Sequence, residues 1–247
     1  MFAIFRKEIS GFFSSLTGYI VIIVFLLINS LFMWVLPGEW NILDTGYAGL
    51  DTLFSLSPWI FLFLVPAITM KMIAEERRLG TIELIYSRPI TERAVVYGKY
   101  FASVALVLLA LLPGLVYYLS VYNLGETPGN LDKGGTWGAF AGLFFLAAIY
   151  ASAGIFSSSL TDNQVIAFII SVLICFILFT GFDSFAYLPG LKKFDEYVIR
   201  LGINEHYKSM SRGVIDIKDI TYFFAVVIIF NEATRLAMLS RKWKKRK

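Results

Sequence analysis

The sequence predicts an all-α polytopic membrane protein: six transmembrane helices, an N-terminal interfacial helix, a short cytoplasmic surface helix and short outer-surface helices. Three observations carry this. The chain is 57% hydrophobic and only 16% charged, with a mean hydropathy of +0.70, where soluble domains carry about 25% charge. Its apolar residues fall into six runs, each near the ~20 residues a helix needs to cross the hydrocarbon. Short polar segments separate the runs, and Lys and Arg gather in alternate ones.

Residues 1–17 place Phe2, Phe5, Ile9, Phe12, Phe13 and Leu16 at helical spacing, with Arg6, Lys7, Glu8 and Ser10 largely elsewhere. This reads as an amphipathic helix lying in the interface. A secretory leader is disfavoured, because no small-residue cleavage site follows the apolar run. The transmembrane body, 18–240, then holds spans at Tyr19–Leu36, Leu53–Met72, Tyr100–Val121, Trp137–Ser157, Val165–Phe182 and Ile220–Leu239. Pro37-Gly38 ends the first. Pro66 lies within the second, where neighbouring helices must satisfy the backbone it frees. Pro113-Gly114 predicts a kink in the third. Gly138 and Gly142 in the fourth have the small-xxx-small spacing that allows close helix approach. The long loop, 183–219, carries Leu191, Phe194, Tyr197, Val198 and Leu201 at helical spacing, an amphipathic piece for the outer membrane surface. The tail, 241–247, is basic and suits anionic lipid headgroups.

Orientation follows from Lys and Arg in short loops. Arg6 and Lys7, then Lys71, Arg77, Arg78, Arg88, Arg93 and Lys99, then the tail share one side. The loop Glu39–Asp51 has no Lys or Arg, and Asn123–Gly135 has Lys133 alone. Both termini and the 71–99 segment are therefore expected in the cytoplasm, in a bacterial inner membrane.

The segment Lys71–Lys99 is the one long charged interruption of the first half. Gly80 suits the left-handed cap that closes a helix. Thr81 can N-cap a short amphipathic helix, Thr81–Ser87. Pro89 disfavours helix just before it. Thr91 can cap the next helix, with Glu92 in its first turn. The pattern is helix, elbow, short surface helix, elbow, helix.

The chemistry is sparse. Gly98-Lys99 lacks the other residues of a phosphate loop, so the chain cannot hold ATP in that way. A single histidine, His206, and a single cysteine, Cys175, exclude a metal site built from several such ligands and an internal disulfide. His206 reads as a surface residue of the outer loop, and no catalytic group is expected. In the sixth span Asn231, Glu232, Thr234 and Arg235 form a polar stripe, and charges within spans are costly. The stripe either faces the bundle interior or a translocation path, or it is an ion pair near the cytoplasmic end with Arg235 snorkelling. The second reading is preferred. Asn29 reads as an interhelical hydrogen bonder. The modest positive charge gives no reason to expect nucleic acid.

The central segment resembles the signature of type-2 ABC export permeases at Glu75, Glu76, Gly80, Thr81, Glu83, Leu84, Pro89 and Lys99. The stretch before the last span is similar to the same family at His206, Tyr207, Arg212, Gly213, Asp216, Asp219 and Tyr222. Within the family the sequence is most similar to gliding-motility permease subunits. The resemblance implies that Thr81–Ser87 is a coupling helix docked in a groove of a separate cytoplasmic ATPase that carries ATP and Mg. Leu84 and Ile85 would supply an apolar anchor, and Glu75, Glu76, Arg77, Arg78 and Glu83 the register-setting charges. It also implies a second permease half, either a copy of this chain or a partner with a large outer domain. The Glu232/Arg235 pair is not expected from the family. The alternatives are a non-transporting membrane anchor that passes ATPase motion to another protein, and an intramembrane enzyme, which the absence of facing catalytic groups disfavours.

Overall fold

A computed structural model describes residues 1–87, 89–126, 130–186 and 195–244, with the side chains of Thr17, Ile85, Tyr86 and 241–244 outside the description. Arg88, Leu191, Phe194, the apolar anchor expected of Ile85 and the basic side chains of the tail lie outside the described residues.

The described residues are helical, without strands. In chain order the helices are α1 (Phe2–Phe13), α2 (Leu16–Ser30), α3 (Ile42–Thr45), α4 (Asp51–Thr69), α5 (Lys71–Arg78), α6 (Ile82–Tyr86), α7 (Glu92–Leu111), α8 (Leu115–Leu124), α9 (Lys133–Leu160), α10 (Gln164–Phe176), α11 (Phe182–Ala186), α12 (Asp195–Ile199), α13 (Ile203–Ser211) and α14 (Ile217–Lys244). Six stretches are long and apolar enough to span: Gly18–Val35, Asp51–Arg78, Glu92–Leu124, Lys133–Leu160, Gln164–Ala186 and Ile217–Ser240. Two carry a widened π turn, Leu31–Val35 and Ile177–Gly181, that composition does not announce. Pro113-Gly114 produces a 3₁₀ turn between α7 and α8, because proline removes a helical N–H. α4 runs unbroken through Pro58 and Pro66, and the break comes at Met70 instead.

The fourth span, α9, is the central post. It packs against α4, α5, α7, α10, α13 and α14, and 72% of its apolar window is buried. Its small residues explain how so many neighbours fit. A Cβ built at Gly154 would lie 2.0 Å from Thr69 Oγ1 of α4, and one at Gly138 would lie 2.4 Å from the Met210 carbonyl oxygen of α13. Gly142 sits against the Tyr207 ring. The small-xxx-small pair therefore receives α13, a helix of the long loop that lies on the bundle with Ile203, Tyr207 and Met210 buried. The amphipathic piece expected on the surface is a separate element, α12, where Tyr197 is 70% exposed.

α1 is more than a helix resting in the interface. It packs on α7, with Ile4 and Phe12 buried, and Gly98 of α7 is where it approaches: a Cβ there would meet Ile4 Cβ and the Met1 carbonyl at 3.1 Å.

These contacts set a test of packing. Gly138→Ala, whose new methyl meets backbone that cannot swing aside, should lower stability by about 1–3 kcal/mol. Gly11→Ala on α1, where a Cβ meets nothing within 4 Å, should be neutral or raise it by up to about 1 kcal/mol. Thermal unfolding of the two variants in detergent measures both.

Candidate functional site

The face that carries the termini also carries the 71–99 segment, and side chains from four spans meet there. The local chain follows its residues. Gly80 adopts φ +72°, a backbone that L side chains rarely take, and the turn closes with the Gly80 N–H on the Arg77 carbonyl at 3.1 Å. α6 then runs from Ile82 to Tyr86. The Thr81 hydroxyl turns back to the Glu76 carbonyl at 3.3 Å rather than forward into α6, so the first turn of α6 is held by backbone bonds from Glu83 to Gly80 and from Leu84 to Thr81. Thr91 caps α7, its Oγ1 accepting from the Ala94 N–H at 3.3 Å.

At the base of this segment is a buried charge cluster. Lys99, on α7, is 1% exposed. Its ammonium contacts Glu8 Oε1 at 2.7 Å, Glu76 Oε2 at 3.0 Å and the Met72 carbonyl at 2.7 Å. Lys7 on α1 closes the set on Glu76 Oε1 at 2.5 Å. Burial works against the charge of Lys7, but its hydrogen bond to Glu76 and the charges of Glu76 and Glu8 outweigh this and raise its pKa. Two cations and two carboxylates thus neutralise one another and fasten α1, α5 and α7 together. A buried ion stays charged only when partnered this way.

A second tie runs to the fourth span. α5 restarts after the break at Met70, and its first N–H groups lack helical partners. The Ser158 hydroxyl of α9 accepts from the Ile73 and Ala74 N–H groups at 3.0 and 2.9 Å and donates to the Met70 carbonyl at 2.8 Å. Arg77 donates to the Ser159 carbonyl and lies 4.0 Å from Asp162.

The segment between these anchors is bare. Ile82 is buried, whereas Leu84 is 67% and Leu79 62% exposed, and Arg78, Gly80, Thr81, Glu83 and Pro89 are exposed with them. Glu75 is half-buried. Beside α6 lies an apolar groove of about 660 Å³, lined by Ile4, Phe12, Ile68, Leu79, Leu84 and Ile90 among others.

The expected site residues therefore divide. Glu76 and Arg77 face inward and hold the frame, while Arg78, Glu83 and Leu84 face out. Glu232 and Arg235 pair at 2.6 Å, and Arg93 at the start of α7 reaches Glu232 at 3.5 Å. The pair lies at the termini-bearing end and links the sixth span to the third. Asn231 is buried, and neither of its amide atoms has a hydrogen-bond partner among the described residues. Asn29 turns its amide onto the Phe25 carbonyl of its own helix at 2.8 Å, not onto another helix. Sequence reasoning missed Glu8 and Ser158. A carboxylate among the cations of α1 was the available signal for the first; a serine in a small-residue run gives none for the second.

Six spans, a platform of anchored helices on the termini face and an exposed short helix between two elbows define a polytopic membrane component. The chain belongs to the ABC-2 transporter family: the model for ABC-2 family transporter proteins matches residues 2–234. Proteins of this family are the membrane-spanning components of ABC transporters and work with an ATPase subunit. A search of curated proteins finds no match for the chain.

The frame is testable on Lys99. Lys99→Met leaves Lys7 as the one cation for both Glu8 and Glu76, and should cost about 3 kcal/mol or more. Chemical or thermal unfolding of the purified chain should show it; an unchanged midpoint would mean that the cluster does not hold α1 in place.

Proposed function

We propose that this chain is one permease half of an ATP-driven exporter, and that α6 is the coupling helix on which its ATPase docks. The observation that carries the reading is an exposed apolar pair, Leu79 and Leu84, on a segment whose both ends are fixed to the bundle. Exposed apolar side chains next to a groove mark a partner site. The groove would take apolar side chains of the ATPase, with Glu75 in its lining and the exposed Arg78 and Glu83 setting register. ATP and Mg belong to the ATPase.

The same reading puts the termini face in the cytoplasm of a bacterial inner membrane, supported by the Lys and Arg gathered there. Anionic lipid would meet the basic tail. The second permease half is either another copy of this chain or a partner with a large outer domain. A place in a gliding-motility or secretion complex rests on the resemblance of the two motifs alone. ATP binding closes the ATPase dimer, α6 moves with it, and α5 and α7 carry the movement into the second and third spans.

Leu84→Glu should weaken association with the ATPase by about 10-fold or more, the scale of an interface anchor, without altering the thermal midpoint of the isolated chain. Co-purification of the complex from its native membrane measures this. Full association in Leu84→Glu and in Leu79→Glu would remove α6 as the docking helix.

A further inference from the structure

The segment before the last span carries side chains that the permease reading leaves unused. His206, the only histidine, sits on α13 with its side chain 14% exposed. Both ring nitrogens face acceptors. Nε2 is 2.8 Å from the Arg200 carbonyl oxygen, and Nδ1 is 2.7 Å from Asp219 Oδ1 at the start of α14. A carbonyl oxygen only accepts, so Nε2 carries a hydrogen. A neutral imidazole has one N–H. With that hydrogen on Nε2, Nδ1 would turn a lone pair onto a carboxylate oxygen. Both bonds form together with the carboxylate ionised only when Nδ1 carries a proton as well.

The surroundings suit that cation. The Tyr222 ring stacks on the imidazole with centroids 3.9 Å apart, and an aromatic face attracts positive charge. Tyr222 is itself fixed, its hydroxyl donating to the Leu201 carbonyl at 2.6 Å. Asp219 is 7% exposed, and its Oδ2 is buried without a hydrogen-bond partner. The other charged groups at this end of the packed elements are Glu205 and Lys208 on α13, Arg212 at its end, Asp216 and Lys218 beside Asp219, and Asp132 and Lys133 at the start of α9; Glu232 and Arg235 lie toward the other end of α14. Arg200 is held by Glu196 at 2.6 Å, and Asp183 takes the Asn204 amide at 2.6 Å. Among the described residues, Asp219 is the charged group that reaches the imidazole.

We propose that His206 and Asp219 form a proton-binding site that latches α13 to the last span on the face opposite the termini. The helix it latches is a clamp. Its Tyr207 hydroxyl donates to the Phe54 carbonyl of the second span at 2.7 Å, and its Met210 backbone lies against Gly138 of the fourth. With the Nδ1 proton in place, the clamp is tied to the sixth span as well. When the imidazole loses one of its two protons it keeps a single N–H, so it can serve Asp219 or the Arg200 carbonyl but not both, and one of the two bonds that fix α13 is lost. The pH of the compartment on that face therefore sets the doubly tied fraction, full on the acid side and lost on the alkaline side.

The test uses the full chain in detergent, labelled with ¹⁵N-histidine, between about pH 5 and about pH 9. The sole imidazole reports its own protons by NMR. Amide hydrogen exchange of 203–211, corrected for its intrinsic pH dependence, reports the clamp. Protection of α13 should fall about 10-fold as the imidazole loses its second proton. In Asp219→Asn the amide N–H donates to the lone pair of a neutral imidazole, so both bonds persist and protection should not vary with pH. In His206→Phe protection should be low throughout. The proposal is overturned if wild-type protection does not follow the imidazole titration, if Nδ1 carries no proton even on the acid side, or if Asp219→Asn keeps the wild-type pH course. Should Asp219→Asn not fold, coincidence of the two wild-type curves decides alone.

Discussion

Lys99 is the residue on which the termini face depends. An ammonium at 1% exposure is tolerable only because Glu8, Glu76 and the Met72 carbonyl surround it. Glu8 belongs to α1, Glu76 and Met72 to α5, and Lys99 itself to α7. The electrostatic requirement of one buried cation thereby fixes the geometry of three elements. The Ser158 hydroxyl adds the fourth span through backbone N–H groups that a broken helix leaves unpaired. α6 hangs between these anchors. In the proposed role, force on α6 is not absorbed by a loose loop but delivered to the second, third and fourth spans together.

The rest of the bundle is tied together through the fourth span. α9 touches most of the molecule, and at Gly138, Gly142 and Gly154 it is narrowed until neighbouring backbone and side chains lie against its own backbone. Without a hydrophobic driving force between helices in lipid, this close packing supplies the cohesion. The two ends of α9 meet different partners. Ser158 holds the restart of α5 at one end, and Gly138 receives α13 at the other. A shift of the fourth span is therefore felt on both faces.

Much of this was legible in the sequence, because the strongest signals are local. Hydropathy located all six spans, since a bilayer demands about 20 apolar residues whatever the tertiary packing, but the second and third continue past their apolar runs, to Arg78 and back to Glu92. Gly80 and Thr91 marked elbows that the backbone reproduces, because each is specified by one residue's stereochemistry or one hydroxyl. Long-range placement was not legible. Lys99 reads along the chain as one more basic residue for topology, and nothing local says that it is buried. α13 lacks a long apolar run, so its seat on α9 is visible only as a pair of glycines far earlier in the chain, Gly138 and Gly142, not as a pattern in the helix itself. His206 read as a surface residue because its partner, Asp219, lies thirteen positions on, across a turn at Gly213.

The most direct measurement is a site-specific cross-link in the assembled complex. A cysteine at Glu83, on the exposed face of α6, should join this chain to the ATPase subunit with a short thiol cross-linker, and one at Glu126 on the opposite face should not. If Glu83 gives no ATPase cross-link while a site elsewhere on the chain does, the frame around Lys99 serves some other purpose and the coupling account fails.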